Sequence, residues 1–242
     1  MSVRDDEAGS ESVSDIVVSE PRLDSDADPT TVRTERFAAI DCGTNSIRLL
    51  IIEKRSDSVE VMPLVRELRL VRLGEGVDKT REFSSAALTR TFAAIDEYAD
   101  IIHHFDVRFV KFVATSATRD VSNRDEFAAG IRERLGVDLT VIDGAQEAEL
   151  SFSGAVAYVR SEHPGPYLVI DIGGGSTEFV MGSAAVEYSK SVDIGCVRMA
   201  ERHLHTDPPT SVAIATAQAD IDAAIATALH TVPAPRALTL VG

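Results

Sequence analysis

Two short glycine-containing patterns lie far apart in the sequence, and each is flanked on both sides by a run of apolar residues. The first covers residues 40–48 (IDCGTNSIR) and the second covers residues 170–178 (IDIGGGSTE). Each pattern predicts two strands joined by a tight turn of small residues. Glycine permits positive φ, and successive backbone N–H groups in such a turn can converge on an anion. One copy is compatible with an ordinary hairpin, but two copies indicate two related lobes that offer phosphate loops to a shared cleft.

The chemistry of the two patterns differs at their last aligned position, which is Arg48 in the first and Glu178 in the second. In the second hairpin, Asp171 and Glu178 would face each other across the turn, and paired carboxylates suit Mg²⁺, which prefers oxygen ligands. In the first hairpin, Asp41 and Arg48 either grip a phosphate directly or form a structural ion pair. Further hydroxyl and amide donors at the turns are Thr44, Asn45, Ser46 and Ser176.

Two more segments place polar groups between a predicted strand and a predicted helix. Residues 114–123 (ATSATRDVSN) favour anion binding, because such a junction exposes backbone N–H groups and the positive end of a helix dipole. Arg119 would add a mobile positive charge, although a capped turn with a surface arginine is an equally good interpretation. In residues 143–149 (DGAQEAE), Glu147 and Glu149 open a helix. Spacing alone favours simple complementation of the helix dipole there, worth about 0.3–1 kcal/mol.

Alternating strands and helices must position these groups. Apolar runs predict strands over residues 36–53 around the first turn, 59–71, 107–114, 139–142, 167–181 around the second turn, 186–192 and 237–241. Helical spacing predicts helices over residues 84–104, 125–135, 146–159, 197–205 and 211–229, with Leu150 among the buried positions. The alternation predicts an α/β fold. We expect an N-terminal lobe over residues 36–163 and a second lobe over residues 164–242, divided at a Pro-Gly-Pro sequence.

Charge and composition restrict the partners and the compartment. The chain of 242 residues has a net charge of −15, and the acidic residues 1–35 predict a disordered tail. The overall negative charge argues against nucleic-acid binding. No apolar run approaches the roughly 20 residues of a membrane span, and the N-terminus is unlike a signal peptide. We therefore expect a cytoplasmic protein with no membrane partner, in which Cys42 and Cys196 form no disulfide.

Five ordered blocks together resemble the exopolyphosphatase and guanosine pentaphosphate phosphatase (Ppx/GppA) family, within the actin, sugar-kinase and heat-shock ATPase superfamily. The blocks cover residues 39–46, 114–123, 143–154, 170–178 and 193–198. The resemblance implies an α/β fold of two ribonuclease-H-like lobes with phosphate bound in the cleft between them. In this family the strand that ends at Gly242 continues into a further phosphate loop. We therefore expect a partial second lobe, in either a fragment or a truncated homologue.

The resemblance also implies a general base. In the family this is the second carboxylate of a Gly-x-Glu-Glu-Ala-Arg motif, which falls on Glu147. Here Gln146 stands in place of the first glutamate and Glu149 in place of the arginine, so a basic residue beside the base is lost. The implied reaction is attack of water on a terminal phosphoryl group, which depends on positioning and charge neutralisation.

The remaining roles are carried over position by position. The resemblance implies catalysis by Glu147 and Arg119, and Mg²⁺ ligation by Asp171 and Glu178. It implies phosphate contacts from Asp41, Gly43, Thr44, Asn45, Ser46, Arg48, Gly173, Gly174, Gly175 and Ser176.

Several functions remain open at this stage. The main interpretation is a Mg²⁺-dependent hydrolase that releases orthophosphate from the ends of inorganic polyphosphate. The alternatives are the same chemistry on guanosine pentaphosphate, a non-catalytic phosphate-sensing homologue, and a small-molecule kinase of the same superfamily. The kinase is disfavoured because Glu147 lies in a phosphatase-type motif. The oligomeric state is open, with a homodimer as one option.

Overall fold

The structure, a computed structural model, describes residues 32–233, 236–237 and 239–242. Residues 33–242 form one compact unit. The predicted tail over residues 1–35 lies almost entirely outside the described residues, and the first strand begins at Thr34. The proposed division at residue 164 stays a prediction.

The first sheet has five strands in the order β3-β2-β1-β4-β5. They are β1 (Thr34–Cys42), β2 (Ser46–Arg55), β3 (Val61–Leu70), β4 (Phe109–Ala114) and β5 (Leu139–Val141). Strands β1 to β3 pair antiparallel, whereas β4 runs parallel to β1 and β5 runs parallel to β4. This mixture is what two consecutive hairpins followed by crossover helices must produce.

Four helices accompany this sheet, namely α1 (Val77–Thr80), α2 (Ser85–His104), α3 (Ser116–Arg119) and α4 (Arg124–Leu135). The Ser84 hydroxyl accepts a hydrogen bond from the backbone of Ala87 and so caps α2. Gly136, at φ 68°, ends α4 in the left-handed conformation that glycine favours. Helices α2 and α4 were predicted within one residue of their observed bounds, whereas the short α1 and α3 were not predicted. Their core includes Tyr98 and Phe127, which are completely buried.

The second sheet repeats the first four positions of the first sheet, in the order β8-β7-β6-β9. Its strands are β6 (Tyr167–Ile172), β7 (Thr177–Gly182), β8 (Val186–Val192) and β9 (Thr239–Val241). The helices in this part of the chain are α5 (Gly144–Val159), α6 (Cys196–His203) and α7 (Ser211–Thr231). Again the first three strands pair antiparallel and the last runs parallel to the first. The predicted α/β fold with two ribonuclease-H-like sheets is confirmed, and the second sheet has four strands among the described residues.

Helix α5 connects the two sheets, and its packing differs from the prediction in one respect. Phe152 and Val156 are buried against Val169 and Val180 of the second sheet. Leu150, predicted to be buried, is 51% exposed. That prediction was wrong because the helix buries only the side that faces the second sheet, and Leu150 lies on the opposite side, where it lines a cavity.

Helix α7 is, among the described residues, the one helix long and apolar enough to cross a membrane by length and composition. Its inward positions pack on the second sheet: Ala228 is fully buried, and Ile221 and Ile225 join the same apolar cluster. Only Ala217 and Ala228 of this helix are buried, and one helix of this length and composition does not by itself establish a membrane span. The cytoplasmic location stays a prediction.

Candidate active site

The two glycine turns are built alike. In the first, the backbone N–H of Gly43 donates to the carbonyl of Ser46 at 3.0 Å; in the second, that of Gly173 donates to Ser176 at 2.9 Å. The turns also touch each other, since a Cβ placed on Gly174 would lie 2.8 Å from the Cβ of Thr44. Only a residue without a side chain permits this approach. The two patterns therefore meet in space, as the sequence predicted.

The carbonyl groups of both turns accept hydrogen bonds from the backbone segments that follow strands β3 and β8. In the first turn, the carbonyls of residues 44 and 45 accept from the N–H groups of residues 71, 72 and 74 at 2.8–3.0 Å. In the second, the carbonyls of residues 173–175 accept from the N–H groups of residues 195–198 at 3.0–3.2 Å. In a trans peptide the C=O and N–H point in opposite directions. The N–H groups of residues 45–46 and 174–176 are therefore directed to the other side, where an anion can accept from them.

A cavity of about 540 Å³ lies between the two turns. It is lined by residues 43–46 and 173–174, Ser176, and the side chains of Asp41, Arg48, Glu147 and Asp171. The other predicted site residues, Arg119, Gly175 and Glu178, do not line it but contact residues that do. No aromatic side chain is among the lining residues that the structure describes.

Glu147 lies in the first turn of α5 and is held by Arg119. Nη1 of Arg119 donates to Oε2 of Glu147 at 2.9 Å and to the carbonyl of Ile142 at 2.8 Å. Arg119 is therefore anchored rather than mobile, with its side chain 24% exposed. Burial and, to a lesser degree, the charge of Glu178 raise the pKa of Glu147 to about 7, against the opposing effect of Arg119. Burial thus makes this carboxylate a better base than its helix position predicts.

The start of α5 also explains the departure at Gln146. Its backbone N–H donates to Oδ1 of Asp143 at 2.8 Å, and its side-chain oxygen accepts from the Asp143 backbone at 3.1 Å. This reciprocal pair is a capping box, in which glutamine serves as well as glutamate. The substitution therefore leaves the helix that carries Glu147 intact.

The second hairpin brings Asp171 and Glu178 opposite each other in register. Glu178 is completely buried; Oε1 accepts from the Ser191 hydroxyl at 2.8 Å, and Oε2 has no partner among the described residues. Asp171 is exposed and accepts from the Ser151 hydroxyl. Burial raises the pKa of Glu178, whereas the nearby hydroxyls of Ser191 and Ser176 lower it. An unpaired buried carboxylate oxygen beside an exposed carboxylate fits a hard cation such as Mg²⁺.

The described residues contain no group of three or more His, Cys, Asp or Glu side chains arranged to hold a metal ion. Mg²⁺ needs no such cage, because it commonly takes one or two carboxylates together with water and substrate phosphate. The donor set is therefore adequate for Mg²⁺ only if phosphate or water completes it.

The first hairpin carries the opposite pairing. Nη1 of Arg48 lies 3.2 Å from Oδ2 of Asp41, and both side chains are about half exposed. Burial of Asp41 raises its pKa, the Arg48 charge lowers it, and the charge of Asp171 raises it. Arg48 thus faces the cavity with an exposed guanidinium. A solvent-exposed pair of this kind contributes little to stability, so it is available to an anion.

Two polar contacts of the site were not predicted. The hydroxyls of Thr44 and Ser116 lie 3.0 Å apart and join the first turn to α3. Arg198, only 8% exposed, donates to the carbonyl of Gly175 and to Asp120. Neither contact has a local sequence signal, because the partners are distant in the sequence. Arg198 does belong to one of the five blocks, which is the single hint that the sequence offered.

Comparisons with known proteins agree with the resemblance. The sequence profile of the Ppx/GppA phosphatase family matches residues 50–242. Exopolyphosphatase 2 of Mycobacterium tuberculosis is 49% identical over 214 residues, which cover 86% of this chain and 67% of that protein. A crystal structure of an exopolyphosphatase-like protein matches with a TM-score of 0.80 and 48% identity, over 86% of this chain and 65% of that one. Guanosine-5′-triphosphate,3′-diphosphate pyrophosphatase of Vibrio atlanticus is 34% identical over 174 residues, which cover 72% of this chain and 34% of that protein. This chain thus spans about two thirds of the length of the first two.

Proposed function

Because the chain belongs to the Ppx/GppA phosphatase family, we propose that it releases orthophosphate from the ends of inorganic polyphosphate by hydrolysis. The observation that carries this proposal is the position of Glu147. It is a carboxylate with a pKa raised to about 7 that lines the same cavity as the two turns, whose N–H groups point away from their hydrogen-bonded carbonyls. Base and anion-binding groups are the two requirements of phosphoryl transfer to water.

The terminal phosphoryl group would be bound between the turns. The N–H groups of residues 45–46 and 174–176 would donate to its oxygens, with the hydroxyls of Thr44, Ser46 and Ser176 close by. Arg119 does not line the cavity itself but lies directly behind Glu147, which does, and among the described residues its side chain is bonded through Nη1 alone; Nε and Nη2 would donate to phosphate oxygens that reach it. Arg48 supplies a second guanidinium at the exposed side. These donors hold the group in a fixed position as its charge redistributes.

Glu147 would act on the attacking water. Its carboxylate accepts a proton from the water as the water oxygen bonds to phosphorus, and the bridging P–O bond breaks. The shortened chain then leaves as a phosphate anion. Arg119 orients the carboxylate through the 2.9 Å hydrogen bond. A base whose pKa lies near neutral pH is well matched to this step.

Asp171 and Glu178 would hold Mg²⁺ near the phosphates. When bound, Mg²⁺ supplies positive charge that neutralises the phosphoryl oxygens. The unpaired Oε2 of Glu178 is the observation that favours this site. A bound cation would also remove the cost of burying that oxygen without a partner.

The test is phosphate release from polyphosphate by the whole chain and by Glu147→Gln, with Glu149→Gln as the matched control on the same helix. We expect release by the parent and by Glu149→Gln, and a loss of at least about 10²-fold in Glu147→Gln. Near-normal release by Glu147→Gln would overturn the assignment of the base. Binding of polyphosphate without release by the parent would favour the phosphate-sensing alternative.

Guanosine pentaphosphate is the second candidate substrate. The similarity to the Vibrio pyrophosphatase favours it, whereas the absence of an aromatic side chain among the described residues that line the cavity offers no stacking surface for a base. Parallel assays with both substrates distinguish them. Release from the nucleotide alone would replace polyphosphate with the nucleotide in this proposal.

A further inference from the structure

Arg198, at the start of α6, makes three hydrogen bonds to three distant parts of the chain. Nε donates to the carbonyl of Gly175 at 2.7 Å, Nη1 donates to Oδ1 of Asp78 at 2.6 Å, and Nη2 donates to Oδ2 of Asp120 at 2.8 Å. The residue is 8% exposed, so its charge is almost wholly removed from water. A buried charge with three directed partners fixes the geometry of those partners more than it adds stability.

Two of the three partners of Arg198 belong to the candidate site or adjoin it. Gly175 belongs to the second phosphate turn, and Asp120 directly follows Arg119, which holds Glu147. Arg198 therefore contacts, through one planar group, both the turn of the second sheet and the segment of the first sheet that carries the base's partner.

The surroundings of Gly175 leave no room for a side chain. A Cβ there would lie 2.8 Å from the hydroxyl of Ser116 and 2.9 Å from that of Thr44. The turn therefore packs directly on the first lobe's polar side chains. Without the 2.7 Å bond from Arg198, the Gly175 carbonyl would keep only the 3.2 Å bond from the N–H of Gly195. The peptide that carries the N–H of Ser176, one of the proposed phosphate donors, would then be held less firmly.

We propose that Arg198 is a positioning residue, which holds the second phosphate turn in register with the Arg119–Glu147 pair without touching the substrate. The inference rests on the proposed function as far as turnover is concerned. The geometric part stands independently of it, because the order of the turn can be measured without substrate. A lysine could not replace the guanidinium, since a single ammonium on a flexible stem cannot reach three acceptors in a fixed fork.

Arg202 provides a matched control on the same helix. It donates to both oxygens of Asp78, at 2.8 and 3.0 Å, but contacts neither Gly175 nor Asp120. Loss of either arginine thus removes bonds to Asp78 across the same contact. Only the loss of Arg198 also removes a side-chain hydrogen bond to the turn, at the carbonyl of Gly175.

The experiment compares Arg198→Met, Arg198→Lys and Arg202→Met in the whole chain. Hydrogen exchange of the amides of residues 173 and 195–197, whose N–H groups donate to carbonyls of the turn, is measured first, without substrate. We expect faster exchange in both Arg198 variants and unchanged exchange in Arg202→Met. Steady-state phosphate release follows, with an expected fall in kcat of about 10²-fold for the Arg198 variants and little change in KM.

Two results would overturn the inference. Unchanged exchange of the turn in a folded Arg198→Met would show that Arg198 does not order it. Equal loss of kcat in Arg198→Met and Arg202→Met would reduce Arg198 to a structural contact. Millimolar guanidinium supplies a further readout, since partial recovery of kcat in Arg198→Ala is expected only if a guanidinium at this place matters. If the parent releases no phosphate, the proposed function fails, and the exchange measurement still decides the geometric part.

Discussion

Asp41 and Asp171 occupy the same position in two separate hairpins, and both carboxylates line the same cavity. Their electrostatic influence reaches across it, since the charge of Asp171 adds to the burial that raises the pKa of Asp41. Together with Glu147 they oppose the charge of Arg48, so the charged side chains on the cavity wall carry more negative than positive charge. A polyanion entering this space therefore needs additional positive charge.

The first prediction concerns Mg²⁺. We expect Glu147→Gln to bind tripolyphosphate at least 10-fold more tightly with millimolar Mg²⁺ than with EDTA, because the cation offsets the carboxylate charge. Titration calorimetry measures this without turnover. Glu178→Gln and Asp171→Asn, each combined with Glu147→Gln, should lose most of the Mg²⁺ effect. Equal binding with and without Mg²⁺ would contradict the proposed metal site.

The second prediction concerns the pH dependence of turnover. The pKa of Glu147 is raised to about 7, and only its ionised form can accept a proton. The ratio kcat/KM for phosphate release should therefore rise about tenfold per pH unit below pH 7 and level off above it. The residual activity of Glu147→Gln should not show this rise between acidic and neutral pH. A plateau that extends down to pH 5 would show that a more acidic group limits the rate.

The third prediction concerns stability. Because the pKa of Glu147 in the folded protein lies above its ordinary value of 4.5, its contribution to stability is fully present below pH 4.5 and is lost as the pH rises through about 7. Glu147→Gln, which stays neutral, should gain about 2 kcal/mol in free energy of unfolding relative to the parent between pH 5.5 and pH 8. Thermal unfolding at both pH values measures the difference. A constant difference between the variants would mean that the pKa is not raised.

The register of the two hairpins could be predicted from the sequence, since apolar runs on both sides of a small-residue turn leave few alternatives. Helix α2 could be predicted equally well, because Ser84 marks its start and the spacing of its apolar residues marks its buried side. The exposure of Leu150 could not be predicted from the sequence, because it depends on which sheet α5 packs against. The same limit applies to the three bonds of Arg198, whose partners come together only in the complete fold.

The anchoring of Arg119 shows where the boundary lies between local and tertiary information. Its place after a strand predicted an anion site, and the structure does bring it to Glu147. Its second bond, to the carbonyl of Ile142, depends on the parallel pairing of β4 with β5. Sequence spacing carries no information about the distance between Arg119 and the carbonyl of Ile142. The arginine that was expected to be mobile is therefore fixed by two hydrogen bonds.

The last prediction tests the direct contact between the two turns. A methyl group at Gly174 would lie 2.8 Å from Cβ of Thr44 and 3.3 Å from Cβ of Asn45, which backbone-proximal atoms cannot easily avoid. Gly174→Ala should therefore push the turns apart and lower kcat/KM at least 10-fold. Gly154→Ala is the control, because nothing lies within 4 Å of a Cβ there and alanine favours its helix by about 1 kcal/mol. Unfolding should show Gly154→Ala at least as stable as the parent and fully active. Full activity in Gly174→Ala as well would mean that phosphate release does not require the two turns to meet.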